Sequence, residues 1–273
     1  MTVLVTGATG QVGRRVVAHL LAAGHRVRAL TRHPAKAASL PGAVEVVAGD
    51  LTAPDTVAPA LDGVTNMHLI TVGGDDYATL DTGPELVRLA HAAGVRRVAV
   101  LWNGQPGPVE TAVQAGGPAW TVLQPTDFMG NALSWASAIR AGRAVAEPFG
   151  DVPSAVIDED DVGAVAAAVL TGDGHAGRTY PLTGPAALTP RQRLAVIGAA
   201  VGRPVEFVEL TEEQARRRWR DAGHGAELID LLAAWQSDPP PAAYTPAPTV
   251  ERILGRPPRT LADWARDHAD AFR

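Results

Sequence analysis

The chain has no cysteine, which excludes disulfides, thiolate metal ligands and cysteine nucleophiles. It has a single lysine, Lys36, in a basic complement otherwise made of arginine. Arginine keeps its proton in proteins and is a poor acid. Any mechanism that needs a lysine must therefore use Lys36. No apolar run is long and charge-free enough to cross a bilayer. Val3-Leu4-Val5 is too short for a signal-peptide core and lacks a basic leader, so a cytoplasmic protein is expected. The net charge of −5 argues against a nucleic-acid surface. The 8 histidines show no His-x-His or His-x-x-x-His spacing, and no metal site is expected. What is present, 273 residues at 46% hydrophobic content, suffices for one large domain or a domain with a smaller lobe.

The most informative segment is Thr6-Gly7-Ala8-Thr9-Gly10-Gln11-Val12-Gly13, directly after the apolar run Val3-Leu4-Val5. It reads as a strand that stops in a glycine turn and opens into a helix with an apolar face at Val12, Val16, Val17, Leu20 and Leu21. Glycines at positions 7, 10 and 13 let backbone N–H groups approach a pyrophosphate, and the helix N-terminus adds a favourable dipole. Dinucleotide binding through Gly7, Thr9, Gly10, Gln11, Val12 and Gly13 is the expectation.

Further along, strands are expected at 26–31, 44–48, 66–72, 97–101 and 120–123, and helices at 54–61, 86–93 and 109–115. Their alternation implies a parallel sheet with crossover helices, a Rossmann-type doubly wound α/β fold. After about residue 125 the rhythm changes. Helices are expected at 131–141, 162–170, 190–201 and 261–272, with short strands at 179–182 and 205–210. Thr211 and Gln214 fit a capping box that opens a further helix, and residues 238–248, with their prolines, read as a loop. Residues 1–130 are taken as the nucleotide-binding domain and 131–273 as a smaller α/β substrate lobe, some of whose segments return to the sheet. Asp158-Glu159-Asp160-Asp161 is read as acids favouring a helix N-terminus rather than a cation site.

These residues carry a family pattern. Val5–Gly13, Arg28–Arg32, Gly49–Leu51, Trp120–Asn131, Asp158–Ala166, Gly177–Pro185 and Gly255–Leu261 together resemble the NmrA-like branch of the atypical short-chain dehydrogenases. That branch includes NADPH-dependent quinone and azo reductases as well as redox-sensing members. The resemblance implies an NADP(H)-dependent oxidoreductase acting on a small molecule. The alternative is a non-catalytic NADP(H)-binding sensor that docks on a partner protein. A homodimer is left open.

The usual short-chain dehydrogenase pairs a tyrosine acid with a lysine four residues later. Here the residues four beyond Tyr77, Tyr180 and Tyr244 are Asp81, Gly184 and Pro248. Related reductases place a lysine after the fifth strand, or a histidine four residues before the helix glutamate. This chain has no lysine in that stretch, and Pro106 stands four before Glu110. These absences disfavour chemistry that needs a tuned acid or base. They leave hydride transfer to a quinone-like or polyketide-derived aromatic acceptor, whose anion water can protonate. Ligands in such sheets bind beyond the carboxyl ends of the strands. Trp102, Asn103 and Phe128 are therefore the candidates for positioning a planar substrate, with Trp102 and Phe128 able to stack on its ring. Asn131 and Trp135 are read mainly as part of the helix they begin.

The second strand ends Thr31-Arg32 with no acid, and Lys36 follows four residues on. Arginine there suits a 2′-phosphate, whereas an acid would favour the free ribose hydroxyl. Asp50 and Leu51 close the third strand, and Thr71 and Val72 the fourth; Asp50 matches the family residue that contacts adenine but also suits an N-cap. NADP(H) is the cofactor expected. A charge-assisted hydrogen bond contributes roughly 1.5–3 kcal/mol. Arg32→Ala should therefore lower the NADPH-over-NADH affinity ratio about tenfold or more. Parallel calorimetric titrations check this, and an unchanged ratio removes Arg32 from the site.

Overall fold

The computed structural model describes residues 1–74 and 78–273; Tyr77 lies outside them. In chain order the strands are β1 (Thr2–Thr6), β2 (Arg26–Thr31), β3 (Glu45–Ala48), β4 (Asn66–Ile70), β5 (Val72–Gly73), β6 (Ala78–Thr79), β7 (Arg97–Leu101), β8 (Ala119–Pro125), β9 (Val145–Pro148), β10 (Arg178–Leu182) and β11 (Phe207–Leu210). The helices are α1 (Gln11–Ala22), α2 (Gly83–Ala92), α3 (Pro108–Ala115), α4 (Ala136–Arg140), α5 (Glu159–Thr171), α6 (Pro190–Val201), α7 (Glu212–Asp221), α8 (Ala226–Ser237), α9 (Thr249–Leu254), α10 (Leu261–Asp267) and α11 (Ala269–Phe272). Among the described residues, no helix is long and apolar enough to cross a membrane.

The chain divides into two units. The first comprises Met1–Pro125, Glu159–Leu182 and Thr249–Gly255; the second comprises Thr126–Asp158, Thr183–Pro248 and Arg256–Arg273.

The first unit is built on a 7-stranded sheet in the order β10-β8-β7-β4-β1-β2-β3. Every pairing in it is parallel. Val3, Leu4 and Val5 of β1 are wholly buried, as expected of a strand covered on both faces. α2 and α3 carry Leu86, Val87, Val109 and Val113 into a core shared with Met67, Val98 and Val122. α1 packs on α5 so closely that a Cβ on Gly163 would stand 2.5 Å from Arg15 Cβ. Glu159, Asp160 and Asp161 form the first turn of α5, where the helix dipole favours carboxylates. His19, in the last turn of α1, bonds Asp160 at 3.1 Å.

In the second unit, β9 and β11 form a 2-stranded parallel sheet. Its core gathers Ile139, Val145, Leu194, Ile197, Trp264 and Phe272. α7 and α8 form a helical pair with their own small cluster of Ala215, Trp219, Ile229 and Ala233. The Thr211–Gln214 capping box is formed in both directions, as are Thr189–Gln192 and Thr260–Asp263.

Three helical expectations change form. Residues 54–61 make two 3₁₀ turns, Pro54–Thr56 and Ala58–Leu61. Pro59 has no N–H to continue an α-helix there. Residues 131–141 start inside a 3₁₀ stretch, Met129–Trp135, and become α-helical only at α4. Asn131 Nδ2 donates to Asp127 and Ser134 Oγ to the Asn131 carbonyl, competing with regular helix bonding. The chain from Ala269 forms a separate short helix, α11, after α10.

His68 on β4 is wholly buried, and neither ring nitrogen has a hydrogen-bond partner. Burial penalises the imidazolium and lowers its pKa from 6.5 to about 4. A depressed histidine pKa means that the unfolded chain takes up the proton first as pH falls. The stabilisation is therefore complete above pH 6.5 and is lost on descent towards pH 4, by about 3 kcal/mol. Urea denaturation of wild type and His68→Leu at pH 7 and near pH 4 tests this. The variant should lack that part of the acid destabilisation, and equal slopes would show that His68 is not its source.

Candidate active site

The glycine turn of the first unit is shaped by contact rather than by sequence convenience. Gly7 has φ +62°, and Gly10 N–H donates to the Gly7 carbonyl at 2.9 Å. A Cβ on Gly13 would lie 2.0 Å from that same carbonyl oxygen, so only glycine lets α1 seat this close to the end of β1. Gly10 is the N-cap of α1 and supplies no side-chain cap. The first N–H groups of α1 are thus left without a side-chain acceptor at an exposed turn, an arrangement suited to a pyrophosphate. Arg14 folds back over the turn and donates to the carbonyls of Thr9 (2.8 Å) and Gly10 (3.2 Å), which fixes its positive charge beside the cradle.

The other nucleotide candidates stand around the carboxyl edge of the same sheet. Arg32 follows β2 and Lys36 lies in the 3₁₀ stretch Pro34–Ser39, both exposed. Asp50 Oδ1 accepts from the N–H (2.9 Å) and hydroxyl (2.8 Å) of Thr52, so one carboxylate oxygen caps the turn after β3. Leu51 is buried, and its carbonyl accepts from Thr82 Oγ1 at 2.6 Å. Thr71 is buried and donates to the Leu101 carbonyl at 3.3 Å, while Val72 pairs with Thr79. The cradle, which a Cβ would fill, and the exposed cations Arg32 and Lys36 beyond β2 are compatible with a dinucleotide.

Trp102 and Asn103 follow β7 in the first unit. Trp102 is half-buried and packs against the unit's core. Asn103 spends its amide on Thr79 Oγ1 (3.1 Å) and its carbonyl oxygen on the Gln105 N–H (3.3 Å), holding its own loop. Glu110, in the first turn of α3, is buried, and desolvation raises its pKa against the opposing pull of backbone N–H groups. Tyr180 Oη bonds His175 Nδ1 at 3.0 Å, and Tyr244 lies exposed after the 3₁₀ turn Pro241–Ala243.

The second unit contains a cavity of about 710 Å³. One wall carries a chain of polar contacts. Asn131 donates to Asp127 Oδ1 (2.6 Å), Arg193 pairs with Asp127 Oδ2 (2.8 Å), and Trp135 Nε1 donates to Glu147 Oε1 (2.9 Å). Arg218 from α7 closes the chain on Glu147 Oε2. Trp135, Trp219 and Trp235 supply the aromatic surface, and Pro239 brings the proline-rich loop into the lining. Phe149, also in the lining, has φ +52°, and among the described residues it is the one non-glycine residue with positive φ. Such a conformation costs of order 1–3 kcal/mol and gathers at ligand sites. Phe128 is half-buried and starts the 3₁₀ stretch but is not part of the lining. The cavity's aromatic wall therefore comes from Trp135, read from sequence mainly as structural, and from Trp219 and Trp235, which sequence reasoning missed. Trp219 left a trace, a lone aromatic in the run Arg216-Arg217-Arg218 and Arg220.

The doubly wound sheet with its glycine cradle defines a dinucleotide-binding protein. Residues 7–105 match an NAD(P)H-binding family model. The chain is 36% identical to a (4-alkanoyl-5-oxo-2,5-dihydrofuran-3-yl)methyl phosphate reductase of Streptomyces griseus, covering 99% of each chain. It is also 36% identical to an NAD(P)H azoreductase of Xenophilus azovorans, again over 99% of each. It superposes with a TM-score of 0.83 on the NADPH complex of an NADPH-dependent quinone oxidoreductase from Escherichia coli, at 26% identity over 98% of this chain and 99% of the other. The chain belongs to the NmrA-like family of atypical short-chain dehydrogenases, whose cofactor is NAD(P)H.

Gly13→Ala forces its methyl onto the Gly7 carbonyl. Overpacking of this kind costs about 1–3 kcal/mol, and NADPH affinity should fall about tenfold or more as the cradle opens. Calorimetric titration with NADPH, alongside thermal unfolding, separates the two effects. Wild-type affinity in a folded Gly13→Ala protein would mean that the turn does not hold the nucleotide.

Proposed function

We propose that this protein is an NADPH-dependent reductase of quinone-like or polyketide-derived planar aromatic acceptors. The observation that carries the reading is the tryptophan-walled cavity of the second unit. Three indoles suit a flat ring, because aromatic faces stack on one another in offset or edge-on geometry. NADPH, when bound, supplies the hydride. The residues around the glycine turn bind it: backbone N–H groups of α1 take the pyrophosphate, and Arg32 with Lys36 takes the 2′-phosphate. In the second unit, the Asp127–Arg193 and Glu147–Arg218 pairs hold the cavity wall and orient Trp135 through its indole N–H.

No Tyr–Lys pair is formed among the described residues, since Tyr180 bonds His175 and the one lysine sits beside the nucleotide end. An electron-poor quinone suits such a site, because water protonates its reduced anion. The reading also agrees with relatives named for azo and quinone reduction. A non-catalytic sensor would have no use for a built acceptor cavity, so the cavity supports turnover.

The test is NADPH oxidation across a panel of quinones, enones and azo compounds. Activity is expected with naphthoquinones. Trp219→Ala should raise KM for them by up to about tenfold, the equivalent of one lost aromatic contact. No turnover with any acceptor, in a protein that binds NADPH, would overturn the reading.

A further inference from the structure

The cavity of the second unit carries its charges in matched pairs. Its lining includes two carboxylates, Asp127 and Glu147, and two guanidinium groups, Arg193 and Arg218. Each acid is joined to one arginine. Each acid is also used a second time: Asp127 Oδ1 accepts from the Phe128 N–H (3.0 Å) and from Asn131, and Glu147 Oε1 accepts from the Trp135 indole. Each arginine makes a further contact, while Arg193 Nε is buried without a hydrogen-bond partner. Arg218 donates to the Ala146 carbonyl at 2.5 Å, and Arg193 lies 5.9 Å over the ring of Trp135. These ion-paired side chains are largely screened from water, Asp127 being 25% exposed, Glu147 22% and Arg193 15%, with Arg218 more open at 43%.

From this charge balance we infer that the cavity selects uncharged planar acceptors and discriminates against the same ring bearing a sulfonate, carboxylate or phosphate. The inference rests on the acceptor-cavity reading above and narrows its substrate class. An anionic substituent entering the cavity meets no arginine that lacks a carboxylate. To take over the charge of Arg193 or Arg218 it must displace Asp127 or Glu147, and a carboxylate left without its partner in a partly dry site is costly. If it displaces neither, it has given up water for a site with no net charge to balance its own. A neutral quinone carbonyl asks for no such exchange. The indoles hold its ring, and its carbonyls bring no net charge that calls for a counter-ion. The selectivity is thus set by pairing, not by any scarcity of positive charge in the cavity.

The test is isothermal titration of the full chain, saturated with NADP⁺ so that no turnover occurs, with menadione and with a naphthoquinone sulfonate. Menadione is expected to bind about tenfold or more tightly than the sulfonate. Glu147→Gln keeps an acceptor for the Trp135 indole but leaves Arg218 without its acid, and should narrow that ratio by about threefold or more. Arg218→Gln alters the balance in the opposite sense and should widen it, so the inference stays testable if one variant does not fold. A sulfonate that binds as tightly as menadione, or a ratio that neither substitution moves, overturns the charge-pairing inference alone. Failure of both quinones to bind overturns the acceptor-cavity reading with it.

Discussion

The seating of α1 against the end of β1 governs the nucleotide half of the molecule. Gly13 lies so close to the Gly7 carbonyl that no side-chain atom fits between them. This approach brings the helix N-terminus up to the turn and leaves its first N–H groups without a side-chain cap. It also sets the line of α1, which receives α5 through the contact of Gly163 with Arg15. β1 lies inside the 7-stranded sheet with β2 on one side and β4 on the other, so the residues after β2, β3 and β4 gather around this turn. The cradle, the arginine and lysine beyond β2, and Asp50 beyond β3 therefore follow from one close contact and one strand order.

The second unit solves a different problem. Its cavity is roomy and lined by large aromatic side chains, which need fixed rotamers to present a flat surface. The ion pairs supply that rigidity. Glu147 ties the Trp135 indole to Arg218 of α7, and Asp127 ties Asn131 to Arg193 of α6. α7 and α8 then bring Trp219 and Trp235 to the same cavity, supported by the small cluster of Ala215, Ile229 and Ala233. The same pairs that stiffen the wall also neutralise it. Rigidity and charge balance are thus one device.

Much of the first unit was legible because its signals are local. A strand, three spaced glycines and an amphipathic helix fall within a single stretch, and the apolar runs of parallel strands are short and bounded by turns. The helices at 190–201 and after Thr211 were equally readable from periodicity and capping. Proline converted one expected α-helix into 3₁₀ turns, and competing side chains did the same to the start of another. The strand at 145–148 and the helix at 226–237 went unread, the first because it is only four residues long, the second because its apolar residues surround it too evenly to mark one face.

By itself the sequence determined the class of the protein. The glycine turn can close only around a backbone contact, and the residue after β2 is basic rather than acidic. The absence of a Tyr–Lys spacing removes one whole mode of proton transfer. Tertiary structure alone decided the cavity of the second unit. Trp135, Trp219 and Trp235 are far apart in the chain, and nothing in their local pattern distinguishes a cavity wall from a core. Asp127 meets Arg193, and Glu147 meets Arg218, across 66 and 71 positions of chain. Pairings of that separation depend on how the elements pack, because a side chain's partner is set by distance in space and not by order along the backbone.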